Sequence, residues 1–127
     1  MKKCYIFVHR SLSGIYAGIQ AAHAVAEHVY DYRGSDSVIH WTNHHKTMVV
    51  LDGGNSKNME RVLETLGWGD EGVSYFRESD MDNMITAIVY IPSDDEMNDI
   101  EAAKESDYSC MEGGIIDLLV NSRTHKG

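Results

Sequence analysis

Cys4-Tyr5-Ile6-Phe7-Val8 is an unbroken apolar run rich in strand formers. Successive side chains of a β-strand point to opposite faces, so a strand without polar alternation must be covered on both sides. Such a strand calls for a sheet with helices above and below it. The next segment, Ser11-Leu12-Ser13-Gly14, is a polar turn whose serines suit a helix N-cap. In the helix that follows, Ile15, Ile19, Ala22, Ala26 and Val29 recur at helical spacing and predict its buried stripe. Gly18, Ala21, Ala22 and Ala24 keep this helix thin enough to lie close against a sheet, and Arg33-Gly34 ends it.

The remaining elements follow in order. Ser35 to His45 is polar and histidine-rich and predicts a loop or a short helical turn. Lys46 to Leu51 is a second strand, and Asp52-Gly53-Gly54-Asn55 a turn. Asn55 or Ser56 caps a second helix with Met59, Val62, Leu63 and Leu66 inward, and Gly67 stops it. Val73 to Arg77 and Ile85 to Ile91 are the third and fourth strands. Ser93-x-x-Glu96 has the spacing of a capping box and opens a third helix with Met97 and Ile100 inward. Ile115 to Val120 predicts a short strand or helix packed on the domain. The expected architecture is a single α/β domain over residues 1–127, with 108–127 as a C-terminal extension. Its sheet has about four strands, mixed but largely parallel, with helices on both faces.

Composition sets limits on function. With 127 residues and 43% hydrophobic side chains, the chain can build a core without disulfide or metal staples. Cys4 and Cys110 lack metal-like spacing; Cys4 reads as a small core residue, and the pattern suits a reducing compartment. The apolar run after Met1-Lys2-Lys3 is too short for a secretory signal or a membrane span, so a cytoplasmic protein without a membrane partner is expected. The net charge of −9 repels nucleic acid as a whole, although Lys2, Lys3, Arg10 and Lys46 are available for a local basic patch. His40 and His44 are spaced for one helical face, but no Cys or acid completes a metal set and Trp41 points to packing. The Gly53-Gly54 and Gly113-Gly114 pairs lack the residues of a phosphate-cradling loop. Neither metal nor cofactor is expected.

Four ordered features resemble the type-2 peptidyl-tRNA hydrolase family. Strand one runs into Arg10 and then into a helix bearing Gln20-Ala21-Ala22-His23-Ala24, similar to the family's Gln-x-x-His-Ala. Trp41 precedes the strand Lys46-Thr47-Met48-Val49-Val50-Leu51. Leu66-Gly67 resembles the family's Leu-Gly turn, and Thr86-Ala87-Ile88-Val89-Tyr90-Ile91-Pro92 its last strand. Order and spacing agree from residue 4 to about residue 103. The chain also departs from the pattern. Tyr16 falls where the family carries a reactive Lys, and a phenol supplies no permanent cation. Glu78 takes the position of an Asp, and the Ala-Gly-x-Thr-Gln that follows it in the family is missing.

The resemblance implies hydrolysis of the ester joining a peptide to the tRNA 3′ ribose, which needs a positioned water, a base and donors for an oxyanion. It implies Glu78, Thr86 and His23 as catalytic residues, and Arg10, Tyr16, Gln20 and Asp80 as substrate-binding ones. Each has a plainer competitor. His23 reads equally as a hydrogen-bonded structural histidine, Glu78-Asp80-Asp82 as a solvated acidic loop, Thr86 as a strand former, and Arg10 as an exposed strand end. Two functional readings therefore stand side by side. One is an active hydrolase acting on peptidyl-tRNA. The other is a catalytically silent module that binds a nucleotide-like ligand, a tRNA end or a protein partner in the same cleft. A third reading is a small homo-oligomeric structural protein, such as a homodimer, because related domains tend to pair. On either reading Arg10, the start of the first helix, the Glu78–Asp82 loop and Thr86 should meet at one edge of the sheet.

Overall fold

Five of the six residues of strand β1 (Lys3–Val8) are buried. Cys4, Ile6 and Val8 enter one apolar cluster, and Tyr5 and Phe7 a second cluster on the opposite face. The structure, a computed structural model, describes residues 1–105 and 113–127. Cys110 and the first part of the expected extension, residues 108–112, lie outside the described residues. After β1 come α1 (Gly14–Asp31), α2 (Asp36–His40), β2 (Thr47–Asp52), α3 (Ser56–Leu66), β3 (Val73–Glu78), β4 (Met84–Tyr90), α4 (Asp94–Glu105) and α5 (Ile115–Asn121). A π-helical turn, Trp41–His45, continues α2, and Trp41 is buried with its indole N–H donating to the Thr47 carbonyl. Among the described residues no helix is long and apolar enough to cross a membrane.

The sheet has four strands in the order β2-β1-β4-β3 and is mixed, as expected. It is not largely parallel: among the described residues β1 with β2 is the one parallel pairing, and β4 lies antiparallel between β1 and β3. Connection length explains the difference. The chain between β1 and β2 contains α1 and α2, enough for a crossover, whereas the short Ser79–Asn83 link allows only a hairpin. Asp82 and Asn83 both close that hairpin at positive φ, a region that short polar side chains tolerate. Helices α1 and α2 cover one face, while α3, α4 and α5 cover the other.

Helix α1 sits on the sheet by the face opposite to the expected one. Ile15 and Ile19 are 84% and 43% exposed, whereas Ala17, Gln20, Ala21, Ala24 and His28 are buried. Both stripes repeat at helical spacing. The buried one wins because alanines let the helix axis approach the sheet closely, and because both polar members find partners. Gln20 bonds to Glu78 and Thr86, and His28 Nδ1 lies 2.8 Å from Ser74 Oγ. A buried polar group with a partner avoids the penalty of an unmade bond.

Local signals elsewhere hold. Asn55 Oδ1 accepts from the Asn58 N–H at the start of α3, and Met59, Val62 and Leu66 are buried. Ser93 and Glu96 form the reciprocal capping box: the Ser93 N–H donates to Glu96 Oε1 and the Glu96 N–H to Ser93 Oγ. Glu96 also accepts from the Tyr90 hydroxyl at 2.7 Å, so one carboxylate ties the start of α4 to the end of β4. Ile115–Asn121 is a helix, and its Leu119 reaches the core.

The burial of His28 has a consequence for stability. Burial drives its pKa from 6.5 down to about 4, against the weaker opposing pull of Asp31. Between those values the unfolded chain binds a proton that the folded chain refuses, so stability falls as pH falls. The slope is about 1.4 kcal/mol per pH unit, and the group contributes nothing above pH 6.5. In urea unfolding, His28→Gln should show a shallower decline than the parent between pH 6.5 and 4, while the two respond alike above that window.

Candidate functional site

Three side chains of α1 meet the β3 end of the sheet in succession. Tyr16, Gln20 and His23 stand at spacings of four and three residues and so share one helical face. The Tyr16 hydroxyl contacts Met81 Sδ at 3.8 Å. Gln20 Nε2 donates to Glu78 Oε2 at 3.1 Å. The His23 ring lies flat on Phe76, with centroids 4.6 Å apart and planes within 9°.

Thr86 reaches this row from β4 because of a β-bulge. The register passes from Phe76 opposite Ala87 to Arg77 opposite Ile85 and leaves Thr86 as the extra residue. An extra residue breaks the alternation of a strand and re-aims a side chain. Ala87 accordingly faces the α1 side and Ile85 the other, while the Thr86 hydroxyl donates to Gln20 Oε1 at 2.7 Å. The outcome is a relay in which Thr86 donates to Gln20 and Gln20 donates to Glu78. Thr86 and Gln20 are buried, and Glu78 is half-buried at the mouth. The Asp80 N–H also donates to Glu78, which caps the turn Ser79–Met81, while the Asp80 side chain is exposed.

The structure thus brings together Tyr16, Gln20, His23, Glu78, Asp80 and Thr86. His23 is exposed, so the buried, hydrogen-bonded histidine of this helix is His28 instead. Arg10 does not join the group. It lies at the same edge of the sheet, one residue beyond His9, whose N–H donates to the Thr86 carbonyl. Its guanidinium turns to β2, where Nε donates to Asp52 Oδ2 at 3.1 Å. Burial raises the Asp52 pKa, but the Gly54 N–H, the Arg10 guanidinium and the charge of His125 outweigh it and hold the carboxyl below its ordinary value. The turn after Asp52 is built for this role. Gly54 takes positive φ and donates its N–H to Asp52 Oδ1, and a side chain on Gly53 would collide with Met59.

Of the cations available for a local basic patch, Lys2, Lys3 and Arg10 are each paired with an acid. Lys2 is buried, its ammonium held by Asp94 at 2.7 Å and by the Pro92 carbonyl, and Lys3 faces Glu101. What the sequence did not connect is the arrival of the C-terminal segment beside Arg10. The Asp52 N–H donates to the Arg123 carbonyl, Thr124 bridges Leu51, and His125 Nε2 lies 3.1 Å from the His9 carbonyl. The His40, His44 and His45 rings cluster, with His40 about 5 Å from each neighbour, but His45 Nδ1 accepts from the Lys2 N–H. Among the described residues no group of three or more His, Cys, Asp or Glu side chains is arranged to hold a metal.

No protein-family model matches the chain, and no match is found among curated proteins. The geometry of the site therefore has to carry the functional reading. The relay makes a prediction of its own. Thr86→Val keeps the shape but leaves Gln20 Oε1 buried without its donor. It should lower unfolding stability by about 1–3 kcal/mol in urea titrations. Glu78→Gln, which keeps an acceptor for Gln20 at the half-buried mouth, should cost less than Thr86→Val.

Proposed function

We propose that this chain hydrolyses the ester between a peptide and tRNA, with Glu78 as the group that activates water. The observation that supports this reading most directly is the relay from Thr86 through Gln20 to Glu78. It orients a half-buried carboxylate at the edge of the sheet, and Tyr16 and His23 share the helical face that carries Gln20. A carboxylate held in this way can take the proton of a water that adds to the ester carbonyl. The tetrahedral adduct then expels the ribose oxygen, to which Glu78 returns the proton. The products are the free peptide acid and the tRNA 3′ end. Tyr16, 38% exposed, offers a hydroxyl to the developing oxyanion, and His23 offers an exposed ring as a second proton carrier. Thr86 is too deeply buried to hold the water and acts through Gln20 as a positioning residue.

A second reading, a silent module binding a tRNA end or a nucleotide-like ligand, is favoured by one specific feature. None of Tyr16, Gln20, His23, Glu78, Asp80 and Thr86 is a permanent cation, so the row supplies no fixed positive charge to an oxyanion. Incubation of the full chain with a model peptidyl-tRNA separates the two readings. Catalysis is expected to appear as release of free peptide, slowed at least about 100-fold in Glu78→Gln while the urea midpoint stays near that of the parent. Retention of the tRNA with no peptide released, even at high protein concentration, would replace the hydrolase with the binding module.

A further inference from the structure

Three of the chain's 11 lysines and arginines line one cleft in a protein whose net charge is −9. Arg10, Arg123 and Lys126, with His125, surround a space of about 520 Å³ between the turn after β1 and the C-terminal segment. That volume falls in the range of small-ligand sites, about 300–1,000 Å³. Asp52 is the one acidic side chain among the described residues of the lining, and both its oxygens are already used, one by Gly54 and one by Arg10. Arg10 spends only Nε on that pair, and its terminal nitrogens have no protein partner among the described residues. Nor do the side chains of Arg123 and Lys126 have an ion-pair partner among the described residues. The backbone around them is pinned, because the segment is bonded to β2 at Asp52, Leu51 and Val50. Three cations thus line one cleft over a pinned backbone, and the one acidic side chain beside them is already paired, so the lining carries an excess of positive side-chain charge.

We propose that this cleft binds a phosphate ester, carried either by a free nucleotide or by the backbone of a nucleic-acid strand. The planar fork of arginine matches the oxygens of a phosphate, and two arginines with a lysine can share its charge. Ser13, whose hydroxyl makes no cap bond to α1, adds a polar donor to the wall. The cleft includes none of Gln20, Glu78 and Thr86, so the assignment stands or falls apart from the hydrolase reading.

The test is titration of the ¹⁵N-labelled full chain with inorganic phosphate, with AMP and with a short single-stranded RNA, followed by amide shifts. Saturating shifts at Arg10, Ser13 and residues 123–127 are expected. If a strand is the source, RNA binds more tightly than AMP, and the logarithm of its affinity falls with the logarithm of salt with a slope of about −2. If a nucleotide is the source, AMP saturates as readily as RNA. In either case Arg123→Ala combined with Lys126→Ala should weaken binding about tenfold, with an unchanged far-UV spectrum. Lys126→Ala alone, a milder change at an exposed position, should reduce the salt slope by about 0.7. Absence of shifts at these residues with all three probes overturns the proposal. RNA binding whose affinity and salt slope ignore both variants also overturns it.

Discussion

The placement of α1 turns on one buried amide. Gln20 is almost wholly removed from water, and an amide in that position must find hydrogen-bond partners or destabilise the fold. Its oxygen takes the Thr86 hydroxyl from β4 and its nitrogen gives to Glu78 on β3. One side chain therefore clamps a helix to two strands. The clamp sets the rotation of α1, and the rotation aligns Tyr16 above Met81 and His23 above Phe76. It also leaves Ile15 and Ile19 outside, which a helix placed by hydrophobicity alone would not do. The alanines make the clamp geometrically feasible, since longer side chains on that face would hold the amide out of reach of the sheet.

Electrostatics is organised in the same local manner. A surplus of acids over bases describes the chain as a whole but no particular part of its surface. Lys2 disappears into the fold as a partner of Asp94 and of the Pro92 carbonyl, a use of charge that stitches the start of β1 to the start of α4. Three other cations, Arg10, Arg123 and Lys126, line the cleft where the last residues return to the edge of β2. That return also covers the end of an otherwise open strand edge, at Val50, Leu51 and Asp52. The C-terminal residues are thus structural at Leu119, protective at Thr124 and charged at Arg123 and Lys126.

Much of the candidate site was legible in the sequence. Gln20 and His23 stand in a helical motif, Glu78 follows a strand, and Thr86 begins one. Their convergence depended also on the rotation of α1 and on the strand irregularity at Thr86. Less visible were Phe76 and Met81, ordinary apolar residues that become the floor under His23 and Tyr16 once the hairpin folds. The bulge at Thr86 had no sequence signal either, because no glycine marks it. Arg10 was legible as a residue with a role, but its neighbours Arg123 and Lys126 lie at the other end of the chain.

The sequence by itself determined most of the elements, the caps of α3 and α4, and the strand that must be central. Those depend on interactions within a few residues: the apolar run of β1, the Asn55 cap, the Ser93–Glu96 box. Only the tertiary structure decided which of two helical stripes of α1 faces the sheet, how β4 slots between β1 and β3, and which cations share a cleft. The reason is physical. Both stripes satisfy the helical period, so the choice rests on partners for Gln20 and His28 that lie between 46 and 66 residues away in the chain. Such partners come within bonding distance only when the sheet has formed.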